Sequence, residues 1–346
     1  MRRVGLFLAL IAAAAFAAHA QTLESLNTLA TTAGADREAR LAEGAKKEGT
    51  LVFYTTFPPQ YADQLLDPFR ARYGIKITVW RARSELVLSR VLSEARAGSP
   101  GADVITVIAT ATEAMRREGL LQEVRSPHDA ELHASAVPAH RQWVAQLDHV
   151  FVHAYNTDKV HKGELPRTWR DLLDPKWKGR LAIEGDDHEW LSSVIEDMGE
   201  AEGAAFFREL IAKNGLSVRS GHPLLTNLVA SGEVPLALTV YQYSVEQAKK
   251  KGSPIDWFVI GPAVSIPNAI AVPKRAQHPH AALLLYDWLL GPDGQRILAK
   301  IGYVPTSTKV ESPVKGVTLK YLDSAKLVDD QEKSTRRFQQ LILKVR

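Results

Sequence analysis

The stretch "GTLVFYTTFPPQYADQLLDPFRARYGIKITVW", residues 49–80, decides the fold. Leu51 to Tyr54 is a short apolar run of strand formers. The segment after Pro59 then carries apolar residues at helical spacing, interrupted at Pro68, as far as a stop at Gly74. "IKITVW" reads as a second strand. Upstream, "LAEGAKKEG" is helical and stops at Gly49; downstream come a helix "SELVLSRVLSEARAG", with Ser84 as N-cap, and a third strand "ADVITVI". Strand, helix, strand, helix, strand predicts a parallel sheet with helices on its faces.

A second cycle begins after the polar stretch Ser126 to Pro138. "HVFVHAYN" is a strand, "TWRDLLDPKWKG" a short helix and turn, "RLAIEG" a strand, and "DHEWLSSVIEDMG" and "AAFFRELIAKNG" are helices. "LLTNLVASGE" and "PLALTVY" add a helix and a strand. "IPNAIAVPK" is a later strand, and "HPHAALLLYDWLLGPDGQRILAKIG" gives two helices parted at Gly291-Pro292. The chain is therefore an α/β protein of two lobes, each a central sheet flanked by helices.

Residues 1–20, "MRRVGLFLALIAAAAFAAHA", have a basic start, an apolar run and small residues before a cleavage point, the pattern of a secretory signal peptide. The expected product is exported and soluble, with no membrane span. With no cysteine in the chain, neither a disulfide nor a lipid anchor on a cysteine is available. Its 43 basic residues less Arg2 and Arg3 leave 43 − 2 = 41 against 39 acidic, an interspersed charge of about +2 that gives no case for nucleic acid. Lys249 to Lys251 read as the solvated end of a helix, and His278 and His280 as exposed.

No G-x-S-x-G elbow, P-loop, H-E-x-x-H or nucleophilic cysteine is present, and the turn after the first strand reads "YTTFPPQ" rather than a glycine-rich dinucleotide fingerprint. The densest polar cluster is "EGDDHEW", Glu184 to Trp190. Three of the carboxylates there, with His188, could hold a metal or a cationic ligand, while Asp186 or Asp187 could instead cap the helix. His222, three residues after Arg219 at a helix start, suits an anion or a purely structural place. Thr55 and Thr56 end the first strand and Arg83 and Ser84 the second, where open α/β sheets collect ligands. "TVYQYSV" delivers Tyr241 and Tyr243, which an extended strand would point to one side.

Several segments resemble the periplasmic solute-binding proteins of ABC importers, nearest the iron(III)-type branch: "GTLVFYTTF", "FRARYGIKITVWRARSELVLSRVLSEARAGSPGADV", "VHAYNTDKV", "TWRDLLDPKWKGRLAI", "SGEVPLALTVYQYSVEQAKKKG" and "HPHAALLLYDWLLGPDGQRILAKIGYVP". The resemblance spans nearly the whole mature chain. It implies a type II periplasmic binding fold with the ligand in a cleft between lobes, hinge closure, and delivery to an inner-membrane permease by a monomeric, non-enzymatic periplasmic protein. It places residues 21–147 and about 266–300 in lobe 1, 148–265 in lobe 2, and 301–346 in a C-terminal helical segment packing on the lobes. Iron-binding members use two adjacent tyrosines, and Gln242 with Tyr243 falls at that pair, so only Tyr243 keeps its type. Tyr241 and Tyr243 are then metal ligands only if Fe3+ is the transported ligand; no other cofactor is implied. A small organic anion or zwitterion, such as a phosphonate, phosphate ester or carboxylate, is the favoured ligand. Tyr54, Trp190, Tyr241 and Tyr243 would wall it, Thr55, Thr56, Arg83, Ser84, His188, His222 and Asn268 would supply polar contacts, and Asp187 would face an amine. A reading of another class is an exported metal-dependent hydrolase using Asp186, Asp187, His188 and Glu189.

Overall fold

Helix α1 (Arg37–Glu48) ends at Gly49, whose φ of 72° lies in the left-handed region that glycine enters without a Cβ penalty. The chain turns there into β1 (Thr50–Thr55), then α2 (Pro59–Tyr73), β2 (Lys76–Arg81), α3 (Ser84–Arg96), β3 (Val104–Ile108) and α4 (Ala109–Arg117). The expected break at Pro68 does not occur. Leu65, Leu66 and Phe69 on either side of it are fully buried, and that packing offsets the backbone bond a proline cannot make. The computed structural model describes residues 26–32 and 34–343, so the expected signal peptide lies outside the described residues.

A long strand, β4 (Val144–Asn156), leads through 3-10 turns to β5 (Leu181–Glu184), α5 (His188–Met198), α6 (Glu200–Asn214), β6 (Ser217–Arg219), α7 (His222–Ala230), β7 (Leu236–Tyr241), α8 (Gln242–Lys250) and β8 (Ile255–Phe258). Then follow β9 (Ala263–Ala271), α9 (Pro279–Leu290), α10 (Pro292–Ile301), β10 (Val304–Pro305), β11 (Leu319–Tyr321), α11 (Ser324–Asp329) and α12 (Gln331–Phe338). The expected helix at residues 168–179 is a pair of 3-10 turns, Trp169–Leu173 and Pro175–Trp177, with Asp174 between them and Pro175 opening the second. Among the described residues no helix is long and apolar enough to cross a membrane.

The chain divides into two units. The first holds the described residues up to Gln146 with Asn268–Ile297 and Thr306–Val310; the second holds Leu147–Pro267, Leu298–Pro305 and the described residues from Glu311 on. The segment 301–346, set apart in the sequence as a helical tail, is thus divided: 301–305 and 311–343 group with the second unit and 306–310 with the first.

In the first unit β1 pairs in parallel with β2 and β3, and β3 pairs antiparallel with the end of β9, from Ile105 opposite Ala271 to Ile108 opposite Asn268. Tyr54, Val87, Ile105, Val107, Met115 and Trp143 fill its core. In the second unit β5 pairs in parallel with both β6 and β7, and β7 and β8 pair antiparallel with β4. Along β4 the side chains alternate: Val150, Val152 and Ala154 enter the apolar core with Leu225, Val229, Val240 and Val245, while His149, Phe151 and His153 take the other face.

Candidate functional site

Because β5, β6 and β7 run parallel, their carboxyl ends lie side by side, and the residues that follow them meet. These are Glu184 to Glu189 after β5, Arg219 to His222 after β6, and Tyr241 to Tyr243 after β7, all in the second unit.

Glu184 orders this region. Its carboxylate accepts the backbone N–H of Asp186 at 2.6 Å and that of Gly221 at 2.7 Å, tying the loop after β5 to the start of α7. Gly221 makes the turn at φ 98°. Asp187 is the N-cap residue of α5, but its side chain caps nothing; Oδ1 lies 3.1 Å from Nε2 of His222, and buried Oδ2 has no hydrogen-bond partner. Nδ1 of His222 is likewise buried and unpartnered. One donor atom from each of Glu184, Asp187 and His222 lies within 4.8 Å of the other two.

The electrostatics follow from crowding negative charge in a dry place. Burial, then Asp187, raises the Glu184 carboxyl above its usual range. Burial, with Asp187, Asp186 and Glu184 adding to it, lifts Glu189 to about 8. Burial pushes His222 down, but Asp187 outweighs it and the imidazole sits above its ordinary value. Burial first, and Asp187 next, hold Tyr241 as a neutral phenol.

An aromatic stack adjoins these groups. The Tyr241 ring lies 3.9 Å from that of His222, 4.7 Å from His149 at 28°, and 5.0 Å from Phe151. Tyr243 stacks on Tyr241 at 5.7 Å and 18°, and touches Tyr303 at 4.5 Å. The expectation that one extended strand carries both tyrosines is overturned: β7 ends at Tyr241, and Tyr243 stands in the first turn of α8. Gln242 between them is buried, and neither of its amide atoms has a hydrogen-bond partner.

Other predicted residues are placed differently. His188 turns to α12, with Nδ1 3.1 Å from Oγ of Ser334. Trp190 packs in the core of the second unit against Trp169 and Phe207. In the first unit Tyr54 is buried, donates its hydroxyl to Glu94 at 2.8 Å and lies under the Arg90 guanidinium. Thr55 shares a hydrogen bond with Thr106, and the Thr56 amide donates to the Thr106 carbonyl. Arg83, not Ser84, is the N-cap of α3 and is exposed; the Ser84 hydroxyl accepts from the Ile108 amide. Asn268 is buried and accepts from Gln146. His278 and His280, expected to be exposed, are partly buried and bonded to Asp103 and Glu48, each at 2.8 Å.

Sequence reasoning missed His149, Phe151, Tyr303 and the ordering role of Glu184. The signal for the first two was present: in "HVFVHAYN" the rings of His149, Phe151 and His153 recur at every second residue, opposite the valines.

Residues 99–330 match the family described as bacterial extracellular solute-binding protein. The Fe(3+)-binding periplasmic protein of Serratia marcescens is 24% identical, over 88% of this chain and 94% of that one. Spermidine/putrescine-binding periplasmic protein 1 of Haemophilus influenzae is 26% identical, over 81% of each. The fold is that of solved two-lobed periplasmic binding proteins. The protein AfuA from Actinobacillus pleuropneumoniae, with exogenous fructose-6-phosphate bound, superposes with a TM-score of 0.72 at 22% identity, covering 86% of this chain and 99% of that one.

Proposed function

The chain belongs to the bacterial extracellular solute-binding protein family, and on that premise we propose that it is the periplasmic binding component of an ABC import system. It captures a small solute that presents a positive centre to the second unit and delivers it to an inner-membrane permease, without turnover. The observation that carries this reading is Asp187, a buried carboxylate with one oxygen unpartnered, set beside Glu184 and Glu189. His222 meets Oδ1, but Oδ2 has no donor, and a buried acceptor left unmet costs free energy until a cation or a donor reaches it. The rings of Tyr241 and His149 supply faces that suit a cation or an apolar stem. A zwitterion meets these needs by its amine. Two relatives of this chain are named for cations of different kinds, ferric ion and polyamines, which have positive charge in common.

A second reading, Fe3+ bound by phenolates of Tyr241 and Tyr243, is favoured by their near-parallel rings. It requires the ion to displace a proton from a Tyr241 phenol that its surroundings hold protonated. Tyrosinate iron has a visible charge-transfer band, which Tyr243→Phe would remove.

The test is a thermal-shift panel of diamines, aminoalkylphosphonates, metal salts, ferric citrate, and phosphate esters or carboxylates without an amine. A ligand at 100 times its Kd stabilises by about 2.7 kcal/mol, a rise of roughly 5 °C in a chain of this size. The reading expects such a rise from a compound with a positive centre. Rises from amine-free, metal-free anions alone would overturn it.

A further inference from the structure

We propose that the positive centre this site selects is a divalent transition-metal ion of the solute, held by Glu184, Asp187 and His222. The proposal rests on the reading above and names the class of cation. Three features of the donor set argue for a metal ion over an alkylammonium.

The first is composition. Two carboxylates and one imidazole are the mixed oxygen and nitrogen ligands that Zn2+, Mn2+, Co2+ and Ni2+ share. An ammonium group asks only for acceptors and gains nothing particular from an imidazole, whereas imidazole is the commonest metal ligand among side chains.

The second is geometry. Oδ1 of Asp187 and Nε2 of His222 stand 3.1 Å apart, the separation of two ligands on one ion when each bond is about 2.0–2.2 Å. The whole donor set spans no more than 4.8 Å, so the three groups surround a space of single-ion size.

The third is preparation. The Glu184 carboxylate is oriented by two backbone N–H groups from different elements. Such supporting hydrogen bonds are the outer shell that metal sites use to aim their ligands. The Tyr241 ring packs on the His222 imidazole at 3.9 Å and limits its rotation. Oδ2 of Asp187 is buried with no hydrogen-bond partner, so that carboxylate keeps capacity to bind. Three protein ligands leave positions on the ion for an oxygen-bearing chelator, and the solute can enter as a free ion or as a small complex.

The test uses the purified protein stripped with a chelator and titrated with Co2+, whose d–d absorption reports ligand field directly, then with Zn2+ in competition. The expected result is a visible band saturating at one ion per chain, displaced by Zn2+, and weakened at least about tenfold in affinity in Asp187→Asn and in His222→Gln. It should persist in Tyr243→Phe. Circular dichroism checks that each variant is folded, and either variant alone suffices. If a diamine or an aminoalkylphosphonate stabilises the protein through Asp187 while neither Co2+ nor Zn2+ binds, the metal assignment falls and the cation-binding reading stands. If no cation of either kind binds, both fall. An iron band lost in Tyr243→Phe, with no divalent binding, would overturn the assignment in favour of the tyrosine pair.

Discussion

Tyr241→Ala removes the ring on which the candidate site is built. That ring is half-buried and contacts His222, His149, Phe151 and Tyr243 at centroid distances of 3.9, 4.7, 5.0 and 5.7 Å. Truncating a fully buried aromatic costs about 3–5 kcal/mol. The exposed part of this one brings the expectation to about 2–3 kcal/mol, since contacts on its open side have no protein partner to lose. Tyr241→Phe keeps every ring contact and loses only the hydroxyl, so its cost should stay below about 1 kcal/mol. Urea unfolding without ligand measures both, at equal m-values. The two variants should also separate in binding, with the alanine variant losing the solute and the phenylalanine variant weakened by no more than about tenfold. A cost below about 1 kcal/mol for Tyr241→Ala would show that the ring is not packed between the two imidazoles, and the site would have to be rebuilt.

A pH effect follows from His153, which burial depresses from 6.5 to about 4 despite a hydrogen bond to the Leu238 carbonyl. Between those values the unfolded chain binds a proton that the folded one excludes. The contribution is therefore complete above pH 6.5 and is lost as pH falls toward 4, by about 1.36 × 2.5, or 3 kcal/mol. His153→Phe, set among Trp169, Trp190 and Phe258, should flatten urea stability between pH 7 and 4.5; an unchanged slope would refute the assignment. Tyr54→Phe deletes the hydrogen bond to Glu94 and should cost about 1.5 kcal/mol while leaving solute affinity untouched; a binding defect would return Tyr54 to the site.

What the sequence made legible was the local pattern. The alternation from β1 to β3 is read directly from apolar runs divided by Gly49 and Gly74. What it hid was the outcome of competition between local and distant partners. Two residues, Gln242 and Tyr243, could continue a strand or begin a helix, and Val245 and Ala248 on one helical face settle it in the fold. His278 and His280 look exposed because Asp103 and Glu48 lie 175 and 232 residues away along the chain. Asp187 reads as a helix cap from its position, yet its carboxylate is drawn to His222, which the parallel pairing of β5 with β6 brings alongside. The polar ends of β1 and β2 suggested a site, but Thr55 and Ser84 satisfy their own backbone and neighbours.

The central claim is that a positive centre of the solute meets Asp187. Titration calorimetry of the solute selected by thermal shift, in the natural protein, in Asp187→Asn and in Arg83→Ala, tests it most directly. Removing one partner of a buried charge pair costs about 2 kcal/mol or more, so affinity should fall more than about tenfold in Asp187→Asn and stay within about twofold in Arg83→Ala, where an exposed side chain is lost. Unchanged affinity in Asp187→Asn, with loss in Arg83→Ala, would contradict the account and mark the solute as an anion.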